Sequence, residues 1–311
     1  MQAASTILLI RPFSPGYNPE TAASNAFQQV ADAAEESTRR EVRQEFDRFA
    51  ATLRAEGVDV IVVDDTPSPQ KPDAVFPNNW VSFHSDGRVI LYPMFAPSRR
   101  RERRQEVVDE LRKRFVVKEV VDLSGYEKEN RYVEGTGSLV FDHENHVTYA
   151  CLSPRTDKEL SLKVSGLLGY RPVIFRAVDE RGQAIYHTNV MMCVGDKFSL
   201  VCLESITDLA DRKQVVDSLR DTGHTIMDIK FDQMYHFAGN MLAVRSKTGD
   251  SLLVCSQQAA ESLALEQRSQ LAEYARLVAA PIPTIERLGG GSARCMMAEV
   301  FLPMRTGMTA H

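Results

Sequence analysis

A hairpin, a helix and a strand recur in this order along the sequence, and this repeat limits the chain to a small set of folds. Each hairpin consists of two short apolar runs around a polar turn, most clearly at Ser85-Asp86-Gly87. The predicted hairpins lie at 80–94, 138–152, 189–203 and 240–255, and a fifth begins at 295. The predicted helices lie at 22–56, where one long helix or two shorter ones fit, and at 98–115, 156–168, 208–222 and 257–278. The strands after them are predicted at 58–63, 116–121, 172–175, 225–229 and 282–285.

The unit recurs with a period of roughly fifty to sixty residues, which is typical of repeat architectures. Five such units favour a closed ring over an open array. In a ring, the strand that starts at Cys295 would pair with Ile7–Ile10 and complete the first unit. No charge run or low-complexity stretch divides the chain. We therefore predict a single α/β domain over residues 1–311.

A polar stretch lies between each strand and the next hairpin, and the repeat places these stretches equivalently. In a ring they would converge on its axis. Three of them carry Glu134, His187 and Cys295, which together would supply an orienting carboxylate, an acid/base and a nucleophile. Taken separately, Glu134 could cap a loop and His187 could be a core histidine. The five stretches are 73–80, 132–138, 186–190, 236–240 and 289–295.

The last stretch, Gly289-Gly290-Gly291-Ser292-Ala293-Arg294-Cys295, has the composition of a nucleophile loop. Consecutive glycines allow backbone geometry that other residues avoid and let a ligand approach the main chain. The charge of Arg294 beside Cys295 would favour the thiolate. The alternative is a flexible turn before a buried cysteine, since free cysteine is among the most buried residue types.

Charge and cysteine content exclude several classes of protein. A net charge of −5 provides no basic surface for nucleic acid or an anionic membrane. No apolar run is long enough to span a bilayer, and the N-terminus lacks the basic start of a signal peptide. The five cysteines are widely spaced without a CxxC pair, which predicts neither a disulfide framework nor a zinc site. We expect a cytoplasmic protein with reduced thiols; the sequence leaves a homo-oligomer open.

Several motifs together resemble the guanidino-group-modifying enzymes, which include arginine deiminase, dimethylarginine dimethylaminohydrolase and the amidinotransferases. The resemblance covers nearly the whole chain, and Phe76-Pro77-Asn78-Asn79-Trp80 looks most like the bacterial citrulline-utilisation hydrolases. It implies the fold of this superfamily, a five-bladed α/β propeller called the pentein fold, which agrees with the repeat. The motifs lie at 73–79, 96–100, 134–137, 153–156, 187–189 and 289–295.

The resemblance implies a role for each matching residue. Cys295 matches the covalent nucleophile, His187 the general acid/base, and Glu134 the glutamate that works with it. Arg99 and Arg155 match the arginines that hold the α-carboxylate of the substrate, where a bidentate pair fixes orientation. For both arginines the alternative is a solvated surface residue. The other substrate-binding residues in the motifs are Asp73, Asn78, Asn79 and Asn189.

Two asparagines depart from the deiminase pattern. Asn79 and Asn189 stand where deiminases have aspartates that clamp a charged guanidinium. An amide can donate to a carbonyl oxygen and accept from an NH2 group, which suits a neutral ureido group, whereas a buried guanidinium without its carboxylates is strongly unfavourable. The sequence therefore predicts hydrolysis of the ureido group of citrulline or a related amino acid. Asp73 keeps open the alternative, a guanidino-directed deiminase, dihydrolase or amidinotransferase that acts on arginine or a derivative.

The implied reaction is attack of the Cys295 thiolate on the ureido carbon through a covalent S-carbamoyl intermediate. His187 would protonate the departing amine and then activate water, so that citrulline gives ornithine, ammonia and CO2. This predicts no metal, no organic cofactor and a small amino acid as the bound partner. A non-catalytic binding protein, like the ribosome-associated initiation factor of the same fold, is disfavoured by the retained cysteine, histidine and glutamate. Any lid is expected from the proline-containing loops at 12–20 or 65–72.

Overall fold

Five three-stranded sheets form the framework of the structure. A computed structural model of the chain describes residues 1–22, 25, 27, 28 and 36–306. In four of the sheets an antiparallel hairpin is extended by a third strand that runs parallel to the second. The strands are β1 Thr6–Arg11, β2 Asp59–Asp64, β3 Val81–Phe83, β4 Arg88–Leu91, β5 Glu119–Asp122, β6 Leu139–Asp142, β7 Val147–Cys151, β8 Arg171–Phe175, β9 Met192–Val194, β10 Phe198–Val201, β11 Thr225–Asp228, β12 Leu242–Arg245, β13 Ser251–Ser256, β14 Arg276–Ala280 and β15 Ala298–Glu299.

The remaining sheet joins the two ends of the chain. β15 pairs antiparallel with β1, with Ile7 opposite Glu299 and Leu8 opposite Ala298, and β2 runs parallel to β1. All side chains of β1 except Arg11 are buried, as expected for a continuous apolar run with a strand on each edge. The predicted pairing of the C-terminal strand with the first strand is confirmed.

Neighbouring sheets are connected by backbone bridges and shared apolar side chains. Ala4, just before β1, bridges to Val244 in β12, and Phe83 in β3 bridges to Val300, just after β15. Leu8 of β1, Phe83 of β3 and Val89 of β4 share one core cluster. Tyr149 of β7, Val173 of β8 and Leu200 of β10 share another. The chain therefore has a mixed α/β fold whose core lies between adjacent sheets and under the helices.

The longer helices pack an apolar face against the sheets. In α2, Phe46, Phe49 and Leu53 recur at helical spacing and are buried, whereas the charged residues other than the buried Glu45 are exposed or half-buried. The predicted helix at 22–56 coincides with this helix over its second half; residues 29–35 lie outside the described part of the chain. No helix within the described ranges is long and apolar enough to cross a membrane. The helices are α1 Pro19–Ala22, α2 Glu36–Ala55, α3 Gln105–Arg112, α4 Gly135–Ser138, α5 Lys158–Leu168, α6 Thr188–Met191, α7 Leu209–Asp221, α8 Phe231–Tyr235, α9 Gln257–Ser262, α10 Leu265–Ala272, α11 Pro283–Gly289 and α12 Ala293–Met296, with 3₁₀ turns at Pro77–Asn79, Pro97–Glu102, Ser124–Glu129 and Leu203–Ser205.

The helix predicted at 98–115 is interrupted. A 3₁₀ turn, Pro97–Glu102, comes first, and α3 begins only at Gln105, because Arg103 and Arg104 between them have extended backbone with ψ of 95° and 125°. This break positions the site, because the 3₁₀ turn carries Arg99 inward while α3 lies on the sheet.

The region after β13 differs more from the prediction. The helix predicted at 257–278 divides into α9 and α10, and its end is the strand β14. The strand predicted at 282–285 is wrong, because this segment opens α11, with Pro283 in its first turn. Proline has no N–H and a fixed φ, so it suits the first turn of a helix and interrupts a strand ladder.

Candidate active site

Cys295 lies in the single-turn helix α12, directly after the glycine-rich loop. Gly290 ends α11 in the left-handed region with φ of 61°, which glycine adopts without strain. Gly289 and Gly291 lie against the ring of Phe76, and a Cβ at Gly289 would come within 2.5 Å of that ring. The glycines therefore let the loop lie flat on Phe76, which brings the buried Cys295 to the wall of a cavity.

Two side-chain amides approach the sulfur of Cys295. Nδ2 of Asn189 lies 3.5 Å from Sγ, and Nδ2 of Asn240 lies 3.3 Å from it. Arg294, whose charge was expected to favour the thiolate, is instead paired with the carboxylate of Glu299 at 2.8 Å. The expectation for Arg294 is therefore wrong, because its charge is neutralised by a neighbour in β15. Neutral amides are the hydrogen-bond donors at this cysteine.

His187 and Glu134 form a buried hydrogen-bonded pair. Nε2 of His187 lies 2.8 Å from Oε2 of Glu134, and Oε1 of Glu134 accepts from the backbone N–H of Phe95 at 2.9 Å. Burial opposes ionisation of Glu134, but Arg155 and His187 hold its pKa at about 2. Burial lowers the pKa of His187 to about 4 in spite of Glu134. At neutral pH the pair is a carboxylate and a neutral imidazole that donates Nε2–H, which leaves Nδ1 as an acceptor.

Gly137 separates this histidine from Asn79. A Cβ at Gly137 would lie 2.7 Å from Nδ1 of His187 and 2.5 Å from Nδ2 of Asn79. Real Cβ atoms do not approach other atoms this closely, so the position requires glycine. The Glu134-Gly-Thr-Gly137 motif thus supplies a carboxylate at Glu134 and, at Gly137, the space that the side chains of His187 and Asn79 occupy.

Substitution of Gly137 with alanine should therefore displace His187 and Asn79 together. We expect kcat to fall about 10²-fold, because a misplacement of about 1 Å in a catalytic group has an effect of this size. Gly166→Ala in α5 is the matched control, since a Cβ there meets nothing within 4 Å among the described residues. Steady-state kinetics and thermal unfolding of both variants check the prediction; equal kcat values would contradict it.

Arg99 is buried, so the alternative of a solvated surface residue is wrong. Its Nε and Nη2 donate to the two carboxylate oxygens of Glu102 at 2.9 and 2.8 Å, a bidentate pair. Its Nη1 donates to Oδ1 of Asn79 at 2.8 Å. Because a guanidinium can only donate, Oδ1 of Asn79 must face Arg99, and Nδ2 is turned away from it. The role of Arg99 in holding a substrate carboxylate stays a prediction.

Arg155 is also buried, which overturns the same alternative for it. Its Nη2 donates to the carbonyl oxygen of Thr21 at 3.0 Å, and its Nη1 lies 3.7 Å from Oε2 of Glu134. Its guanidinium lies 5.0 Å from the centre of the Tyr186 ring, within the range of a cation–π contact. Arg155 therefore carries positive charge into the site and stabilises the ionised form of Glu134.

Three predicted binding residues that line the cavity or contact Cys295 each keep one buried polar atom that no described residue hydrogen-bonds. These atoms are Oδ1 of Asp73, Nδ2 of Asn79 and Oδ1 of Asn189. Buried polar groups are nearly always paired in folded proteins, so the three atoms point to a bound polar molecule or water. Burial raises the pKa of Asp73 in spite of Arg99 and of the hydrogen bond from Asn18. A cation in the cavity would offset this unfavourable burial of a carboxylate.

The cavity is small, and most of its lining side chains are polar or charged. On one side it is closed by the N-terminal segment, where Asn18 donates to Asp73 at 2.7 Å and Asn25 donates to the carbonyl oxygen of Gly290 at 3.2 Å. Asn18 belongs to the first of the two predicted lid loops. The lining residues are Thr21, Asn25, Asp73, Phe76, Asn79, Arg99, Arg155, Tyr186, His187, Gly289, Gly290, Gly291 and Cys295.

Six of the predicted site residues line this cavity, and Glu134 and Asn189 contact three of those six, which are His187, Arg155 and Cys295. Asn78 does not line it: its side chain is fully buried, and no described residue hydrogen-bonds either of its amide atoms. Glu102 and Asn240 are site residues that the motifs do not indicate. The signal for Asn240 is its repeat position at the end of the stretch 236–240, equivalent to that of Asn189; we find no sequence signal for Glu102.

Cys295 lines this cavity, and the other four cysteines do not. All five cysteines are free and buried. Burial raises the pKa of the thiols of Cys151, Cys193 and Cys255 to about 12, so they are neutral thiols at pH 7.

Within the described residues, no group of three histidine, cysteine, aspartate or glutamate side chains is placed to hold a metal ion.

The sequence also matches a known protein family. A family model described as N,N dimethylarginine dimethylhydrolase, eukaryotic, matches residues 11–302. The chain belongs to this family. The predicted relationship to the guanidino-group-modifying enzymes is confirmed, whereas the citrulline-utilisation branch stays a prediction. A search of curated proteins found no match.

Solved structures of this superfamily share the fold. Unliganded ArgZ, an arginine dihydrolase from the ornithine-ammonia cycle in cyanobacteria, is 18% identical with a TM-score of 0.75 over 97% of this chain and 41% of ArgZ. Unliganded AgrE is 16% identical with a TM-score of 0.75, over 98% of this chain and 40% of AgrE. A dimethylarginine dimethylaminohydrolase variant with a bound S-methyl-L-thiocitrulline adduct is 14% identical with a TM-score of 0.63, over 95% of this chain and 99% of that enzyme. This chain thus spans about two fifths of the length of ArgZ and AgrE and nearly the whole length of the dimethylarginine dimethylaminohydrolase.

Proposed function

We propose that the protein is a cysteine-dependent hydrolase of the guanidino group of arginine or an arginine derivative. The observation that carries the proposal is the convergence of Cys295, the His187–Glu134 pair and the unpaired carboxylate oxygen of Asp73 at one small cavity. The family match and the arginine dihydrolase activity of ArgZ support a guanidino substrate. This is the alternative from the sequence, and it is better supported than the predicted action on citrulline.

The proposed architecture is a five-bladed α/β propeller formed by one domain over residues 1–311. The five three-stranded sheets support it, and so does the pairing of β15 with β1, which brings the chain ends into one sheet. The bridges from Ala4 to Val244 and from Phe83 to Val300 join that sheet to sheets on either side. In such a ring, the polar stretches before the hairpins would surround the axis, and the cavity that they line would lie on it.

In the first half of the proposed reaction, Cys295 attacks the guanidino carbon. The Cys295 thiol passes its proton to Nδ1 of His187, and the C–S bond forms at the substrate carbon. A C–N bond then breaks, and the departing nitrogen takes the proton from His187 and leaves as ammonia or an amine. Glu134 holds the imidazole in the required orientation and stabilises its protonated form. Asp73 accepts hydrogen bonds from the guanidino N–H groups.

In the second half, water hydrolyses the covalent intermediate. Neutral His187 accepts a proton from water at Nδ1, and the resulting hydroxide attacks the same carbon. The C–O bond forms, the C–S bond breaks, and the Cys295 sulfur regains a proton from His187. Loss of ammonia from arginine in this cycle leaves a ureido amino acid, with two C–N bonds still available at the reacting carbon.

A second candidate function is hydrolysis of that ureido group, by itself or after the first cycle. The observation that favours it is the orientation of Asn79, whose Oδ1 is held by Arg99 so that its unpaired Nδ2 is turned away from Arg99. An amide N–H suits the carbonyl oxygen of a ureido group and not the N–H groups of a guanidinium. A protein that performs both steps would convert arginine to ornithine, ammonia and CO2.

A substrate panel tests the proposal. Purified protein is incubated separately with L-arginine, N,N-dimethyl-L-arginine and L-citrulline, and ammonia, dimethylamine, citrulline and ornithine are measured. We expect turnover of at least one guanidino compound and none in Cys295→Ser. Turnover of citrulline alone would contradict the guanidino proposal and establish the second candidate. No turnover of any of the three would contradict both.

A further inference from the structure

Asn240 lies beside Cys295 in an orientation that its neighbours fix. The residue is fully buried, and its Nδ2 donates to the carbonyl oxygen of Asn189 at 2.9 Å and to Sγ of Cys295 at 3.3 Å. Because a backbone carbonyl can only accept, Nδ2 must be the atom on this side of the amide. Oδ1 has no hydrogen-bond partner among the residues described. The amide of Asn240 therefore presents an N–H group to the sulfur.

The backbone that carries Asn240 is held against α6. A Cβ at Gly239 would lie 2.4 Å from the carbonyl oxygen of Val190, so this contact requires glycine. The N–H of Asn240 donates to the carbonyl oxygen of Phe237 at 2.8 Å, and Phe237 itself has a positive φ of 62°. A side chain with a fixed amide on a constrained backbone can position a reactive group within a narrow range.

Two arginines of the site are paired with carboxylates, and the hydrogen bonds to the sulfur of Cys295 come from side-chain amides. Arg294 is paired with Glu299, and the guanidinium of Arg99 is bound by Glu102. A hydrogen bond to an ionised acceptor is stronger than one to a neutral acceptor, so amide donors favour a thiolate over a thiol. The ionisable groups around the cavity besides Cys295 are Asp73, Arg99, Arg155, Tyr186 and His187.

We propose that Asn240 is a positioning residue that, together with Asn189, stabilises the thiolate of Cys295 and directs its sulfur into the cavity. The effect of Asn240 on turnover rests on the proposed function. Its effect on the reactivity of the sulfur is independent of that function, because a thiolate reacts with an alkylating agent whatever the natural substrate is.

The test is the rate at which iodoacetamide alkylates Cys295 in Asn240→Asp and Asn240→Ala, followed by intact-protein mass spectrometry from neutral to alkaline pH. Asn240→Asp replaces the N–H donor with a carboxylate oxygen beside the sulfur. We expect alkylation at neutral pH to slow about 10- to 100-fold in Asn240→Asp and about tenfold in Asn240→Ala, from the loss of a hydrogen bond to a charged group. At alkaline pH the rate of Asn240→Ala should approach that of the unaltered protein, because the thiol then ionises without the amide.

Two controls make the result specific. Asn130→Asp introduces the same charge at an exposed turn and should alkylate like the unaltered protein, and Cys295→Ser should take up no label. Thermal unfolding is measured for each variant. If Asn240→Asp does not fold, the alkylation rate of Asn240→Ala alone tests the proposal. An alkylation profile that neither variant changes would overturn the proposal, even with turnover lost. Slowed alkylation in a protein that hydrolyses none of the panel would refute the proposed function and leave Asn240 as the residue that positions the thiolate.

Discussion

Replacement of Cys295 with serine should abolish hydrolysis of arginine-type substrates. The substitution changes one atom in a buried residue, so the protein should remain folded, but a neutral hydroxyl is a far weaker nucleophile than a thiolate. We expect kcat to fall by at least about 10⁴-fold, the size of effect that follows removal of a covalent nucleophile. The measurement is the steady-state release of ammonia from arginine, or of dimethylamine from its N,N-dimethyl derivative.

The control for this prediction is Cys202→Ser. Cys202 follows β10 and is fully buried, and burial raises the pKa of its thiol to about 11, so it is a neutral cysteine away from the cavity. It should keep most of its activity once thermal unfolding shows that it is folded. If Cys295→Ser kept more than a small fraction of the activity of this control, Cys295 would not be the nucleophile.

Replacement of Glu134 with glutamine should lower kcat with little effect on KM. Glutamine keeps the shape of the side chain but removes the charge that orients His187 and stabilises its protonated form. General acid–base catalysis contributes about 10²- to 10⁴-fold, and we expect a loss in that range. KM should change less, because Glu134 contacts His187 and Arg155 from behind the wall of the cavity and is not among its lining residues.

The control here is Glu129→Gln, which removes the same charge from an exposed carboxylate. Its kcat should equal that of the unaltered protein. A Glu134→Gln variant that was folded and as active as this control would show that the His187–Glu134 pair has no part in the chemistry. A rise in KM with an unchanged kcat would instead make Glu134 a substrate-binding residue.

Much of the fold could be predicted from local patterns in the sequence. The turn at Asp86-Gly87 and the apolar runs around it are signals within a few residues, and they give the hairpin of β3 and β4. The predicted pairing of Ile7–Ile10 with the C-terminal strand follows from the repeat alone. The errors lie where two states compete locally: the apolar run at 276–285 can form a strand or a helix, and the position of Pro283 decides that α11 begins there.

The site was less predictable because its chemistry depends on which side chains meet. The sequence indicates Asn79 as an amide in place of an aspartate, but only the contact with Arg99 determines which of its two ends remains unpaired. Glu102 cannot be identified from the sequence as the partner of Arg99, because one more charged residue in an arginine-rich segment carries no distinct signal. Arg294 adjoins Cys295 in sequence yet pairs with Glu299, because the chain turns between them into β15.

The choice between guanidino and ureido substrates also depends on which side chains meet in the site. Asn79 and Asn189 considered alone favour a ureido group. The unpaired oxygens of Asp73 and Asn189 are acceptors that suit the N–H groups of either substrate, and the family match adds weight to the guanidino group. The preference of the amides has to be weighed against the buried carboxylate of Asp73, whose burial only the structure shows.

The most direct measurement of covalent catalysis by Cys295 is mass spectrometry of the protein after acid quench during turnover of L-arginine. We expect a covalent adduct that corresponds to the substrate less one molecule of ammonia, and peptide mapping should locate it on Cys295. The adduct should be absent from Cys295→Ser. Turnover of arginine without any adduct on Cys295, or with an adduct on another residue, would contradict the proposed mechanism.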